Sequence, residues 1–169
     1  MKVHLSPVHE RDLSLVETWL RTAHVSARWG DAEENLAMLR QPPPRGHWRA
    51  IIEADGRKVG LVLWKHPTRT ELDVAGLNDI STSVIDIDIM IGERNALGRG
   101  IGPIAIRLVA EQAFVDPSVP FLIGCAAWDN LASQRAFAKA GFQRDREFDD
   151  IPHGIHVLMV RQRQEEKPK

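Results

Sequence analysis

Two carboxylates on one face of a predicted strand are the side chains best suited to acid–base chemistry. The run VIDIDIMI, residues 84–91, alternates aliphatic side chains with Asp86, Asp88 and Met90. Because successive side chains of a strand point to opposite faces, these three residues are expected to share one face. Neighbouring carboxylates repel, and partial burial raises the proton affinity of at least one, which suits a proton acceptor near neutral pH. Asp88 is the first candidate for a general base and Asp86 the second, with a strand that has one face in water as the alternative.

A glycine-rich segment, ALGRGIGPIA at residues 96–105, follows this strand directly. Main-chain N–H groups at Gly98, Gly100 and Gly102, next to a helix N-terminus, can hold a pyrophosphate, and Pro103 suits the first turn of that helix. A Rossmann fingerprint would need a glycine at position 103, and the Lys-Ser/Thr pair of a P-loop is absent. A plain strand-to-helix turn that needs positive φ is the alternative.

Three arginines, Arg94, Arg99 and Arg107, flank this segment. We expect their guanidinium groups near the same helix mouth, where they would favour an anionic ligand.

Composition narrows the class of protein. The chain has 169 residues, net charge -1, 43% hydrophobic and 27% charged residues, which is typical of one globular domain and gives no basic field for nucleic acid. Cys125 is the single cysteine, so no internal disulfide forms, and the seven histidines lack metal-ligand spacing, so no metal is predicted. Without a signal peptide or membrane span in the sequence, we expect a cytoplasmic protein.

The elements that position these residues alternate between strands and helices. Their order predicts an α/β (α+β) class, with a mixed central sheet flanked by helices, in one domain over 1–163 with a polar tail at 164–169. An apolar pattern typical of a helix spans 12–25, a short helix follows at 31–40, and a hairpin with an Asp55-Gly56 turn spans 47–65. Residues 66–80 are expected to be irregular. The remaining predictions are strands at 83–92, 119–127, 142–148 and 154–162 and helices at 101–114 and 130–140.

The segments DIDIMIGERNALGRGIGPIAIRLVAEQAF (86–114) and DNLASQRAFAKAGF (129–142) resemble the GNAT superfamily of N-acetyltransferases. Within it the likeness is to the aminoglycoside 6'-N-acetyltransferases and their siderophore-acylating relatives, strong over 84–163 and weak from residue 12 onward. The resemblance implies a GNAT-like fold, acetyl-CoA as co-substrate, and direct transfer to a primary amine with both substrates bound.

The resemblance also implies roles for individual residues. Asp88 would be the base, and a main-chain N–H within 89–91 would hold the oxyanion. Asn130 would contact the pantetheine arm, with a helix N-cap as its alternative role. Acetyl-CoA would be bound by Ile89, Met90, Ile91, Arg94, Gly98, Arg99, Gly100, Ile101, Gly102, Pro103 and Asn130.

The acceptor implied is a small cationic amine, with aminoglycosides first. Trp29, Asp73 and Asp86 are the candidate acceptor contacts, and a core position is the alternative for Trp29. An acyltransferase for a hydroxylysine-type siderophore precursor, a non-catalytic acyl-CoA sensor and a plain nucleotide-binding module are the competing hypotheses. Neither nucleic acid nor a membrane is expected as a partner, and a homodimer is compatible with the sequence.

Three residues depart from the family pattern. Asn95 stands where Gln or Arg is common. Phe137 stands where many members carry a tyrosine that protonates the leaving thiolate, and the chain contains no tyrosine. Since the pKa of a thiol is about 8.5, the thiolate can leave without an acid. Water or Ser133 can also take the place of the tyrosine as the proton donor. Cys125 occupies the position of a drug-contacting aspartate and is expected to pack as a small apolar group.

Overall fold

The computed structural model describes residues 1–151 and 153–165. The strands are β1 (Val3–Ser6), β2 (His47–Ala54), β3 (Arg57–Lys65), β4 (Ile85–Ile91), β5 (Phe121–Ala127), β6 (Gln143–Asp150) and β7 (Gly154–Gln162). They form one seven-stranded sheet of order β1-β2-β3-β4-β5-β7-β6. β4 and β5 are parallel, whereas β1–β2, β5–β7 and β6–β7 are antiparallel. The sheet is therefore mixed, which confirms the predicted α/β class.

Six α-helices accompany the strands in the described residues: α1 (Leu13–Arg21), α2 (Ala23–Trp29), α3 (Ala32–Arg40), α4 (Arg69–Val74), α5 (Ile101–Ala113) and α6 (Leu131–Lys139). None of these described helices is long and apolar enough to cross a membrane.

The chain divides into two compact units. Unit one comprises residues 1–64 and 88–105. Its core joins buried side chains of α1, α2 and α3 with one residue from each of three strands, Ile51, Leu61 and Met90. The β2–β3 hairpin turns at Asp55 (φ 50°) and Gly56 (φ 78°). Positive φ at both central residues matches a two-residue hairpin turn, so the predicted Asp-Gly turn is confirmed.

The apolar pattern at 12–25 forms two helices rather than one. Thr22, with φ -71° and ψ 138°, is extended and separates α1 from α2. The side-chain hydroxyl of Thr22 donates to the carbonyl of Thr18, so it satisfies one carbonyl at the end of α1.

Unit two comprises residues 65–87 and 106 onward. In it α6 packs against β5, β6 and β7. The expectation that 66–80 is irregular is wrong, because α4 lies within that segment. Thr68 and Glu71 form a reciprocal capping box at its N-terminus, and Leu72 anchors it in the core.

Candidate active site

Strand β4 departs from strict alternation at Asp88. Before it, Ile87 is buried and Asp86 half-buried, as predicted for a strand with one face in the core. After the exposed Asp88, the buried side chain is Met90 rather than Ile89. Burial therefore follows the predicted alternation only as far as Asp88, and the next buried side chain is that of Met90. Met90 packs in the core of unit one, so helices cover this end of the predicted face.

Among the described residues, the ladder between β4 and β5 covers the start of β4. The ladder to β5 pairs Ile85 with Leu122 and Asp86 with Ile123. Within the described residues, this ladder does not continue along β4 to its end at Ile91. An extended ligand can add to such an edge as a further strand.

On its other edge, β4 lies unusually close to β3. A Cβ atom at Gly60 of β3 would lie 2.3 Å from the carbonyl oxygen of Met90. Only glycine allows this separation, so Gly60 fixes how closely the two strands approach.

The turn after β4 is held by a tryptophan from α1. The N–H groups of Gly92 and Glu93 both donate to the carbonyl of Val59, and the indole N–H of Trp19 donates to Glu93 at 2.8 Å. A Cβ at Gly92 would lie 2.0 Å from Cγ of Trp19, whose side chain is 1% exposed. Nothing in the sequence indicates this contact between α1 and the turn after β4.

The glycine segment joins this turn to α5. Gly98 and Gly100 have φ of 70° and 79°, and added Cβ atoms would meet nothing within 4 Å. Their conformation therefore accounts for two glycines, and the open space leaves their backbone accessible to a ligand. Gly102 and Pro103 lie in the first turn of α5, a helix of 13 residues whose N–H groups and dipole favour an anion.

The three arginines do not all lie at this mouth. Arg94, in a 3-10 turn, and Arg99 are exposed beside the glycine segment. The prediction for Arg107 is wrong: its guanidinium donates to the carbonyl of Lys139 at the C-terminus of α6. A cation there satisfies a terminal carbonyl and the helix dipole, so Arg107 supports packing instead.

Asn130 caps α6 in unit two. Its side-chain oxygen accepts the N–H of Ser133 at 3.3 Å, which is the N-cap role weighed above. The side-chain amide of Gln134 donates to the carbonyls of Ala127 and Trp128, and these two hydrogen bonds stabilise the turn that precedes Asn130.

Phe137, at the position of the family tyrosine, lies in the core. Phe137 is 1% exposed, stacks edge-on against Phe142 with centroids 5.0 Å apart, and covers Gly124 of β5. Cys125 is half-buried and packs against the apolar cluster of unit two, which confirms its predicted packing role.

The candidate acceptor contacts fall in different units. Trp29 ends α2 in unit one and packs, partly buried, against the core, as its alternative role predicts. Asp73 lies on α4 in unit two, where it accepts bonds from Asn78 and Arg69. These two partners lower the pKa of Asp73 below its ordinary value. The carboxylate thus favours its ionised form and is already bonded to Arg69 of its own helix and to Asn78 beyond the end of that helix.

Comparisons with known proteins agree with this geometry. Residues 8–150 match the family described as "Acetyltransferase (GNAT) domain". The aminoglycoside N(6')-acetyltransferase type 1 of Klebsiella pneumoniae is 26% identical over 170 residues, covering 96% of this chain and 84% of the relative. A kanamycin resistance protein of Rhizobium radiobacter is 35% identical over 78 residues, covering 46% of this chain and 71% of the relative.

A solved structure supports the same relationship. The crystal structure of the aminoglycoside acetyltransferase AAC(6')-Ib in complex with coenzyme A and kanamycin superposes with a TM-score of 0.77 at 26% identity. The match covers 96% of this chain and 95% of that one. The resemblance inferred from residues 86–114 and 129–142 is thereby confirmed, and this chain belongs to the GNAT acetyltransferase family.

Proposed function

We propose that this protein is an acetyl-CoA-dependent aminoglycoside 6'-N-acetyltransferase. One observation carries the proposal: within the described residues the ladder from β4 to β5 ends after Asp86, and a short turn joins β4 to a glycine segment of positive φ at the N-terminus of α5. The first feature suits an amide-bearing arm and the second a pyrophosphate. The full-length similarity to 6'-N-acetyltransferases supports the choice of acceptor.

Acetyl-CoA supplies the thioester that acylates the amine. The main chain of Ile89, Met90 and Ile91 would hold the pantetheine arm, and a main-chain N–H of this segment would donate to the developing oxyanion. N–H groups of residues 98–103 would bind the pyrophosphate, with Arg94 and Arg99 neutralising its charge. Asn130 would add a contact from the N-terminus of α6.

Asp88 would accept the proton of the attacking amine. An ammonium group has no free electron pair, so it must lose a proton before it attacks the thioester, and an exposed carboxylate on the cofactor strand can take it directly or through water. Asp86, half-buried two residues earlier, would orient the cationic acceptor.

The leaving thiolate would depart without a tyrosine. Phe137 has no acidic hydrogen and is buried, so the side chain at the position of the family tyrosine cannot act as an acid. A thiolate is a good leaving group because its conjugate acid has a pKa of about 8.5. Water protonates the thiolate after it has left.

A cationic acceptor requires aromatic and acidic contacts. Trp29 would pack against a sugar ring with the part of its indole that the core leaves exposed. Asp73 would act at longer range, since its carboxylate is already paired with Arg69 and Asn78.

Thiol release from acetyl-CoA, measured with a dye on mixing with kanamycin, tests the proposal. We expect turnover with aminoglycosides that carry a 6'-amine and none with matched compounds that carry a 6'-hydroxyl. Preference for longer acyl donors and a hydroxylysine-type amine would favour the siderophore alternative. Binding of CoA without turnover of any amine would contradict the enzyme and favour an acyl-CoA sensor.

A further inference from the structure

His24, near the start of α2, makes a polar contact with the end of β4 that the proposed function does not use. Its Nε2 atom lies 2.9 Å from the carbonyl oxygen of Ile91. A carbonyl only accepts hydrogen bonds, so Nε2 must carry the hydrogen. The other ring nitrogen, Nδ1, is buried and has no hydrogen-bond partner within the described residues. Within the described residues, the side chain of His24 therefore forms its hydrogen bond with the carbonyl of Ile91.

The geometry of one peptide group shows which edge of β4 this contact covers. The N–H of Gly92 donates to Val59 of β3. In a trans peptide the C=O points opposite to the N–H, so the carbonyl of Ile91 points away from β3. That is the edge on which the ladder to β5 ends after Asp86. His24 thus donates a hydrogen bond to the last carbonyl on the edge of β4 where the proposed function places the pantetheine arm.

We propose that His24 is a positioning residue that sets the register of acetyl-CoA along β4; this inference rests on the proposed function. Residues of a strand present their backbone groups to a given edge at every second position, so a ligand arm can slip by two residues, roughly 7 Å. With its carbonyl engaged by the His24 ring, Ile91 offers the arm only its N–H. The arm therefore stays in the register that places its thioester beside Asp88. Without His24, the carbonyl of Ile91 offers one additional hydrogen bond to a slipped and unproductive arm.

Unproductive binding has a kinetic signature that a loss of structure does not produce. A competing bound state lowers kcat and KM for acetyl-CoA by the same factor, leaves kcat/KM unchanged, and tightens CoA binding by that factor. One hydrogen bond corresponds to a factor of about two to ten. A structural role instead predicts a lower Tm with a raised KM or a reduced kcat/KM.

His24→Asn and His24→Gln form a matched pair. The amide nitrogen of Gln corresponds to Nε2 in its distance from the main chain and can donate to Ile91, whereas that of Asn corresponds to Nδ1 and cannot reach it. We expect His24→Asn and His24→Ala to show the parallel fall of kcat and KM, and His24→Gln to restore both. His4→Ala, which removes the contact of His4 on β1 with Glu53 on β2, is the control and should leave both constants unchanged.

Initial rates with kanamycin and calorimetry with CoA decide the matter. Parallel falls of kcat and KM in His24→Asn, restored in His24→Gln, support the proposal. A raised KM, equal behaviour of the two amide variants, or loss of the fold in all three variants would overturn it. Failure of the wild type to bind CoA or to turn over kanamycin would instead contradict the proposed function.

Discussion

Gly124 and Phe137 form a contact whose energy can be worked out from the structure. A Cβ at Gly124 would lie 2.3 Å from Cε1 and 2.5 Å from Cζ of Phe137. Carbon atoms in contact are normally about 3.5–4.0 Å apart, so the ring would have to withdraw by more than about 1 Å. Phe137 is 1% exposed and rests on Phe142, which leaves it no space to retreat.

Gly124→Ala is therefore expected to lower the free energy of unfolding by about 1–3 kcal/mol, the usual cost of overpacking. Phe137→Ala alone should cost about 3–5 kcal/mol. In the Phe137→Ala background the collision is gone, and alanine is favoured over glycine in a strand by about 0.5–1 kcal/mol. Gly124→Ala should then be neutral or stabilising, which gives a coupling energy of about 1–4 kcal/mol.

Thermal and urea unfolding of the wild type, both single variants and the double variant measure this cycle. Each kcal/mol corresponds to about 2–4 °C in Tm for a chain of this size. Additive effects, with Gly124→Ala equally destabilising in both backgrounds, would refute the reasoning from the contact distance.

Three further predictions concern acid stability, a helix end and the glycine segment. Burial raises the pKa of Asp12, but hydrogen bonds from Lys58 and a main-chain N–H more than offset this effect, so the pKa is lowered. The stability that the lowered pKa confers is present above about pH 3.9 and is lost as the pH falls through the lowered folded value. Between pH 7 and pH 3, the free energy of unfolding in urea should therefore fall more for the wild type than for Asp12→Asn. Arg163 donates to three main-chain carbonyls at and beyond the end of α5, so Arg163→Ala should lower the unfolding free energy by about 2 kcal/mol in urea titrations, and equal stability would contradict this role. Gly100 (φ 79°) and Gly56 (φ 78°) share a positive φ and open surroundings, so alanine would be strained at each and should cost about 1 kcal/mol. By calorimetry, only Gly100→Ala should weaken CoA binding, and equal affinities would argue against the glycine segment as the pyrophosphate site.

Local patterns in the sequence account for the elements around the proposed cofactor site. The alternating run before Asp88, the glycines at 98–102 and the helix that follows each depend on residues close in the chain, and the structure places them as predicted. The capping box of Thr68 and Glu71 is an equally local signal, and it would have predicted α4.

Contacts between distant residues explain what the sequence could not reveal. Trp19 and Glu93 are 74 positions apart, and neither residue type indicates their pairing. Met90 is buried because helices of unit one cover it, which the alternation of its own strand does not reveal. Arg107 lies on the predicted helix, but its direction is set by the C-terminus of α6.

The role of Asp88 is the central claim, and kcat/KM for kanamycin in Asp88→Asn tests it most directly. Asn keeps the size of the side chain but cannot accept the proton, so kcat/KM should fall by about 10²- to 10⁴-fold while the affinity for CoA stays within about twofold. Asp79→Asn, which removes an exposed ion pair with Arg146, serves as the control and should retain activity. Wild-type kcat/KM in Asp88→Asn would contradict the account.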